Sequence, residues 1–213
     1  MENRFNAEQV PTSAPWTNAS GAKKGTSDAD LRAALFSRLN NSNPSARVVN
    51  ELSIAGKARA DVAVIDQYLH GYEIKSDRDT LRRLPHQVQV YSKVFDYFTL
   101  VVASAHTRGA LAIIPSWWGV LEARQTHAGL ALVTLKRGRR QRHNHLDSWY
   151  LSSLLWREET LELLARHELD RGLRSRPGHQ LRDHLVANMP VKDLRDGVLA
   201  ALNLREDWKP AAG

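Results

Sequence analysis

The sequence predicts an α/β fold in which a mixed central sheet is flanked by helices and followed by a small C-terminal helical bundle. Three observations lead to this prediction. Leucines recur every fourth residue near residue 31, β-branched residues crowd three short stretches between residues 46 and 76, and the pattern is helical again from about residue 151. The resulting order α-β-β-β-α-β is typical of a mixed α/β domain.

The first ordered element is a helix near residue 28. Residues 1–26 combine prolines, glycines and small polar residues without an apolar period, which predicts a flexible arm. Ser27 or Asp28 can cap the helix that follows. The run NNSNPS, which ends near Ser45, ends this helix.

Three β-like stretches come next, ARVVNELSI, RADVAVI and YEIKS, separated by turns at AGK and DQYLHG. The second and third stretches are close enough in sequence to form a hairpin. Apolar residues on both of their faces predict helices on both sides of the sheet. A helix that opens at Pro85 and a fourth strand, FTLVVAS, complete the predicted order.

The rest of the chain predicts two more strands and then helices. IIPSWWGVLEAR and LALVTLKRG have the composition of strands, and SSLLWREETLELLARHEL carries a helical stripe of leucines. Two shorter helices lie on either side of Pro190. We therefore predict a core over residues 27–148 and a helical subdomain over residues 149–213.

Composition limits the class of protein. The 213 residues are 42% hydrophobic, and no apolar run approaches the roughly 20 residues that a membrane span needs, so we expect a cytoplasmic protein without membrane segments. The absence of cysteine excludes disulfides, thiolate metal sites and cysteine nucleophiles. Lys and Arg (30) exceed Asp and Glu (23), a net charge of +7, which favours polyanionic partners such as nucleic acid.

The predicted hairpin brings acidic residues together. Asp61 begins one strand, and Glu73 and Lys75 lie two residues apart on the next, so they project from one face. Two carboxylates and a lysine suit a Mg²⁺ or Mn²⁺ ion that hydrolyses a phosphodiester. The same pattern also fits a salt bridge between Asp61 and Lys75 at a strand edge, with Glu73 in solvent.

The pattern D-x11-E-x-K on the second and third strands resembles the PD-(D/E)XK nuclease superfamily. Gln87 and Tyr91 form Q-x3-Y, as in a RecB-like or Cas4-like subset of that superfamily. The string GYEIKSDRDTLRRLPHQVQVY, with PSWWG downstream, is similar to an uncharacterised bacterial branch assigned to this fold. The resemblance covers about residues 27–135 and implies a restriction-endonuclease-like core. Ala60 stands where the superfamily name expects proline, and an iron–sulfur cluster of the Cas4 type is excluded because cysteine is absent.

The resemblance also implies roles for individual residues. Asp61 and Glu73 match the metal ligands, the carbonyl of Ile74 completes the metal shell, and Lys75 matches the catalytic lysine. Gln87 and Tyr91 match helix residues that face the active site. Glu51, on the first strand, is an additional candidate acid for a metal-bound water, at a position where members of the superfamily vary.

Other features have two interpretations each. A basic loop either follows a phosphate backbone or is a solvated hairpin tip; its cations are Lys136, Arg137, Arg139, Arg140 and Arg142. Trp117 and Trp118 either stack on unpaired bases or pack in the core. The arginine-rich C-terminal helices either pack on the core as a bundle or dock on DNA.

From these residues and the resemblance we expect a Mg²⁺- or Mn²⁺-dependent nuclease that hydrolyses DNA. The alternative is a non-catalytic nucleic-acid-binding or regulatory protein on a nuclease-like fold. Cleavage of RNA is a third hypothesis. Two-fold dimers are common in the superfamily, so a homodimer is among the expected assemblies.

Overall fold

The computed structural model describes residues 25–127, 129–141, 145–206 and 208, and its centre is a six-stranded sheet. The strands are β1 (Arg47–Ile54), β2 (Ala58–Ile65), β3 (Leu69–Lys75), β4 (Tyr97–Ala103), β5 (Gly119–Thr126) and β6 (Gly129–Lys136). They lie side by side in chain order. The predicted arm over residues 1–26 falls almost entirely outside the described residues; only Gly25 and Thr26 of it are included.

Seven α-helices precede, connect or follow the strands in the part of the chain that the structure describes. They are α1 (Asp28–Ser42), α2 (Leu84–Tyr91), α3 (Thr107–Leu111), α4 (Ser148–Ser152), α5 (Arg157–Arg166), α6 (Gly178–Asn188) and α7 (Val191–Leu204). A short 3-10 turn over Ser104–His106 precedes α3. Among the described residues, no helix is both long enough and apolar enough to cross a bilayer.

The sheet is mixed, as the sequence predicts. β1, β2 and β3 form an antiparallel meander, β3–β4 and β4–β5 are parallel, and β5–β6 is an antiparallel hairpin. Parallel neighbours need a crossover connection. The segment with α2 supplies one between β3 and β4, and the segment with α3 supplies the next. The predicted order α-β-β-β-α-β is therefore confirmed at the level of an α/β fold with helices beside the sheet.

One face of the sheet is covered by α1. Ser27 caps this helix through a capping box with Asp30, which satisfies backbone donors that the first turn leaves free. Leu31 and Leu35 are fully buried, and they pack on β2, β3, β4 and β5 through residues that include Val62 and Ile74. The four-residue spacing of leucines that predicted this helix is also the spacing of its buried residues Leu31 and Leu35.

The opposite face carries α2 and the C-terminal helices in a single apolar cluster. Tyr91 of α2 stacks on Phe98 of β4 at 4.5 Å between ring centroids, and Phe98 contacts Trp118 at 4.2 Å. Trp118 is fully buried, which supports the core interpretation of this residue. Trp117 is partly buried and packs edge-on against Trp118.

The C-terminal helices are joined to the sheet by buried ion pairs. Arg195 of α7 binds both carboxylate oxygens of Asp96, the residue before β4, with a shortest distance of 2.7 Å. Arg205 pairs in the same way with Glu159 of α5, and it also donates to the carbonyl of Leu154. Residues 149–208 thus share their apolar core with the sheet.

Two local predictions are wrong. The leucine-rich stretch from residue 152 to 169 is not one helix, because α4 ends at Ser152 and α5 begins only at Arg157. The hydroxyls of Ser152 and Ser153 donate to the carbonyls of residues 149 and 150, and Trp156 is extended, which interrupts the helical ladder. Residues 113–118 are not strand, because β5 begins only at Gly119.

Candidate carboxylate and lysine site

The site lies where β2 and β3 diverge. Their pairing runs from Ile65–Leu69 to Val62–Tyr72, so Asp61 and Glu73 are the next residues on the two strands. Beyond that pair, the backbone N–H of Ile74 donates to Oδ2 of Asp61 at 2.7 Å. The N–H of a residue in a regular strand pair donates to a backbone carbonyl. Here the carboxylate of Asp61 accepts that hydrogen bond instead, which holds it between the two strands.

Glu73 is the most heavily bonded side chain of the site. Its Oε1 accepts hydrogen bonds from Nζ of Lys75 at 2.6 Å and from Nε2 of Gln87 at 2.5 Å. Its Oε2 accepts from the hydroxyl of Tyr91 at 2.8 Å. Glu73 and Lys75 are only 3% and 2% exposed, so this is a desolvated ion pair with polar support.

Helix α2 supplies that support because Gln87 and Tyr91 are four residues apart and therefore on one helical face. Burial, followed by the charge of Glu73 and their hydrogen bond, raises the pKa of Tyr91 far above its usual value. The phenol therefore keeps its proton. The hydroxyl also lies 2.8 Å from the carbonyl of Arg59, so one proton has two acceptors.

The surroundings of Asp61 disfavour the charged form of its carboxyl group. Burial, and next the charge of Glu73, raise the pKa of Asp61 from 3.8 to about 6. The hydrogen bond from Ile74 and the guanidinium of Arg32, 3.6 Å away, act in the opposite direction without cancelling this effect. Two adjacent carboxylates whose negative charge is not fully balanced by nearby positive groups attract a cation.

The oxygen atoms of the site fit the ligands of a hard cation such as Mg²⁺ only in part. Besides the two carboxylates, Oε1 of Gln87 is buried beside Glu73 without a hydrogen-bond partner in the described structure. Carboxylate and amide oxygens are ligands that Mg²⁺ accepts. However, no group of three or more acidic or histidine side chains positioned for a metal occurs within residues 25–127, 129–141, 145–206 and 208. Lys75 and Gln87 also occupy Oε1 of Glu73.

Glu51 lies beside the site without joining it. The β1–β2 pairs Asn50–Val62 and Leu52–Ala60 place Glu51 opposite Asp61. Glu51 adopts a left-handed backbone conformation with φ of 58°, and its carboxylate pairs with Arg59 at 3.3 Å. Its role as an additional acid, and that of the Ile74 carbonyl as a ligand, stay predictions.

The basic loop follows β6, which is three strands away from β3 in the sheet. Lys136 pairs with Val120 near the start of β5, and its Nζ donates to the carbonyl of Pro115. The backbone N–H of Arg139 donates to Trp117, and Arg140 lies 3.9 Å from Asp96. Through the pairs Glu73–Leu100, Leu100–Val120 and Val120–Lys136, the start of this loop lies level with Glu73 but three strands away. The structure thus does not bring Lys136, Arg137, Arg139 or Arg140 to the carboxylates, and Arg142 lies outside the described residues.

A different set of cations lies on the segments that flank the site residues in the chain, and we call it the cation rim. It comprises exposed residues of the β1–β2 turn, of β2 and of the β3–α2 loop: Lys57, Arg59, Arg78, Arg82 and Arg83. His86 at the start of α2 binds the carbonyl of Lys57 at 3.1 Å, which ties the two segments together. The string KSDRDTLRR, directly after the site lysine, is the sequence signal that could have identified the rim.

Fold and site together define an α/β protein with a carboxylate–lysine cluster on β2 and β3 and with exposed cations on the neighbouring segments. The chain belongs to the bacteriophage P4 protein cII family, whose profile matches residues 22–210. Protein cII of Enterobacteria phage P4 is 28% identical to it over 123 residues, which are 57% of this chain and 46% of the relative. The chain thus matches about half of that relative's length.

Among solved structures, the SPO1766 protein of unknown function from Silicibacter pomeroyi is similar to this chain. It is 16% identical, with a TM-score of 0.42 over 68% of this chain and 94% of that one. None of these comparisons bears on the resemblance to the PD-(D/E)XK superfamily, which stays a prediction.

Proposed function

We propose that this protein binds nucleic acid through the cation rim, with the carboxylate–lysine cluster beneath the bound backbone. One observation carries the proposal: exposed cations lie on the β1–β2 turn, on β2 and on the β3–α2 loop, the segments that flank the cluster in the chain, and His86 joins two of these segments. Lys and Arg side chains that neutralise phosphates release counterions, which favours binding of any polyanion of suitable shape. The net charge of +7 agrees with such a partner.

The carboxylates beneath the rim do not oppose this binding strongly. Glu73 is neutralised by Lys75 at 2.6 Å, and Asp61 faces Arg32 at 3.6 Å. A phosphate backbone above them meets more positive than negative charge.

The test is the salt dependence of binding. We expect the double variant Arg82→Gln/Arg83→Gln to bind a labelled DNA duplex more weakly and to lower the slope of log K against log salt by about 1–2, since each phosphate contact contributes about 0.9. Fluorescence anisotropy at several salt concentrations measures both. Arg174→Gln is the matched control, because this side chain is 87% exposed and lies outside the rim. An equal loss in the control would contradict the proposal.

A second candidate function is metal-dependent hydrolysis of DNA. The observation that favours it is the pair Asp61 and Glu73, close enough for one to raise the pKa of the other, with Lys75 beside them. Asp61 and Glu73 would hold a Mg²⁺ or Mn²⁺ ion, which would polarise the phosphodiester and a water molecule. Lys75 would then be released from Glu73 and would neutralise charge on the phosphoryl oxygens.

A cleavage assay separates the two functions. Labelled single- and double-stranded DNA, with RNA as a further substrate, is incubated with Mg²⁺, with Mn²⁺ or with EDTA. Cleavage that needs the metal and disappears in Asp61→Ala and Lys75→Ala would establish a nuclease. Intact substrate in every reaction, with rim-dependent binding, would establish the non-catalytic function. Calorimetric titration with Mn²⁺ reports independently whether the wild type, but not Asp61→Ala, binds the ion.

A further inference from the structure

A groove with a volume of about 670 Å³ runs along the outer side of β1. We call it the β1 groove. One wall is β1 with the turn at Ala55 and Gly56, and the other wall comes from α4, α6 and the segments that flank α5 and follow α7. Three indoles line it, namely Trp149, Trp156 and Trp208. No function derived so far uses it.

Two of these indoles form a rigid platform. The guanidinium of Arg205 lies 4.1 Å from the ring of Trp156 and 4.5 Å from the ring of Trp208, so it is held between them. Arg205 itself is only 7% exposed and is anchored by Glu159 and by the carbonyl of Leu154. Trp156 nevertheless remains 41% exposed. Its position is thus set before any ligand arrives.

Trp149 adds a second exposed ring. It is 43% exposed, and its ring contact is an edge-on one with Tyr150 at 5.1 Å. Large exposed aromatic side chains in one concave surface mark a binding site rather than ordinary surface. Two such rings offer flat faces to planar, unpaired groups.

The charges of the groove favour an anionic ligand. Its acidic residue Glu51 is paired with Arg59, and its buried Arg205 is paired with Glu159. Arg182 lines the groove, and the described residues give it no acidic partner. The groove therefore carries an unbalanced positive charge at Arg182. At the other end of the groove, Arg59 of the cation rim forms an ion pair with Glu51, which lines the groove.

These observations together indicate one class of ligand. We propose that the β1 groove holds a single strand of nucleic acid, whose unpaired bases stack on Trp149 and Trp156 and whose phosphates contact Arg182 and the rim. The inference rests on nucleic-acid binding as proposed above and adds the form of nucleic acid. A duplex cannot use the groove in this way because its bases are already stacked on each other.

A peptide strand added to β1 is the competing occupant. Strand addition needs a regular row of free backbone groups on an edge strand. The left-handed conformation of Glu51 interrupts that row in the middle of β1. Indoles and an arginine also provide what a nucleotide requires, which is a stacking surface beside a positive charge.

The experiment compares a 20-nucleotide single strand with the matching duplex by fluorescence anisotropy. We expect Trp149→Ala to weaken single-strand binding about 5- to 100-fold while duplex binding changes less than about twofold. Trp156→Phe keeps an aromatic ring on Arg205, and we expect it to retain most single-strand affinity. Arg182→Gln should weaken single-strand binding and should also reduce the slope of log K against log salt. Leu111→Ala, which removes a 43% exposed apolar side chain on α3, is the control and should bind like the wild type.

The outcomes separate the two proposals. If Trp149→Ala and Arg182→Gln bind the single strand like the wild type while Arg82→Gln/Arg83→Gln binds both forms more weakly, the groove inference is overturned and binding at the rim stands. The groove would then be left to a peptide or to another segment of this chain. If the wild type binds neither form, both proposals are overturned. Thermal unfolding of each variant confirms that it is folded.

Discussion

At the residue scale, two carboxylates of one site lie in different surroundings. Glu73 is held by the ammonium of Lys75, an amide and a phenol, which together satisfy both of its oxygens. Asp61 has one backbone N–H and a guanidinium 3.6 Å away. The difference arises because α2 packs over Glu73 and presents Gln87 and Tyr91 to it. With this weaker compensation, burial and the charge of Glu73 raise the pKa of Asp61 to about 6.

This raised pKa predicts a pH dependence of stability. In the unfolded chain Asp61 loses its proton near 3.8, whereas the folded protein retains it until about pH 6. The folded state binds more protons in this window, so the free energy of unfolding falls as pH rises, by at most about 1.4 kcal/mol per pH unit. Urea unfolding from pH 4 to pH 7 in EDTA measures it. In Asp61→Asn this contribution should disappear; an identical pH profile in that variant would contradict the prediction.

The buried pair of Glu73 and Lys75 predicts strong coupling. Lys75→Met leaves Glu73 charged and desolvated, and Glu73→Gln leaves Lys75 in the same state, so each should lower the free energy of unfolding by about 3–5 kcal/mol. The double variant contains neither buried charge and should be less destabilised than the sum of the two. Urea unfolding of the four proteins gives the coupling energy. Strict additivity would show that the two groups do not form an ion pair.

At the scale of elements, β3 is placed by its close contact with β4 and with the segment between α2 and β4. A Cβ on Gly71 would lie 2.2 Å from a ring carbon of Phe98 and 2.9 Å from one of Phe95. Both aromatic rings are fully buried and cannot move aside easily. The absence of a side chain at Gly71 therefore lets the site strand approach the layer that carries Gln87 and Tyr91.

We accordingly expect Gly71→Ala to lower the free energy of unfolding by about 1–3 kcal/mol or more through overpacking. The control is Gly178→Ala at the start of α6, where the nearest heavy atom to a new Cβ is 4.0 Å away. That change should be neutral or slightly stabilising, since alanine favours a helix. Thermal and urea unfolding compare the two. Equal stability of both variants would mean that β3 does not pack so closely.

The elements also show where pattern reasoning succeeds. The hairpin of β2 and β3 was predictable because β-branched residues and a short polar turn are local signals. The position of Asp61 opposite Glu73 follows from the length of that turn. The break between α4 and α5 was not predictable from leucine spacing, since it depends on serine hydroxyls that bond to the backbone and on Trp156 lying beside Arg205.

At the scale of the whole molecule, one buried ion pair joins residues 99 positions apart. Asp96 is 2% exposed, accepts from the backbone N–H of Leu69, and binds Arg195 of α7. The pair links the C-terminal helices to the strands of the site. No local pattern indicates it, because the two residues meet only after the chain has folded.

Arg195→Met should therefore destabilise the entire fold by about 3–5 kcal/mol, since Asp96 stays buried with its charge poorly compensated. Arg174→Met is the matched change at an 87% exposed arginine and should cost less than about 0.5 kcal/mol. Urea unfolding followed by tryptophan fluorescence and by far-UV circular dichroism measures both. A separate, earlier transition of the helices in the wild type would contradict the expected single cooperative unit.

By itself, the sequence determined the α/β class, the order of the core elements and the residues of the candidate site, because periodicity and turn composition are local properties. Only the tertiary structure decided where the basic residues lie relative to the carboxylates. The basic run at 136–140 begins on β6, three strands from Glu73, whereas Lys57, Arg59 and the arginines of residues 78–83 are exposed on the segments next to the site strands. The β1 groove likewise forms from segments that are distant in sequence, since strand pairing and helix packing, rather than local propensity, determine which side chains meet.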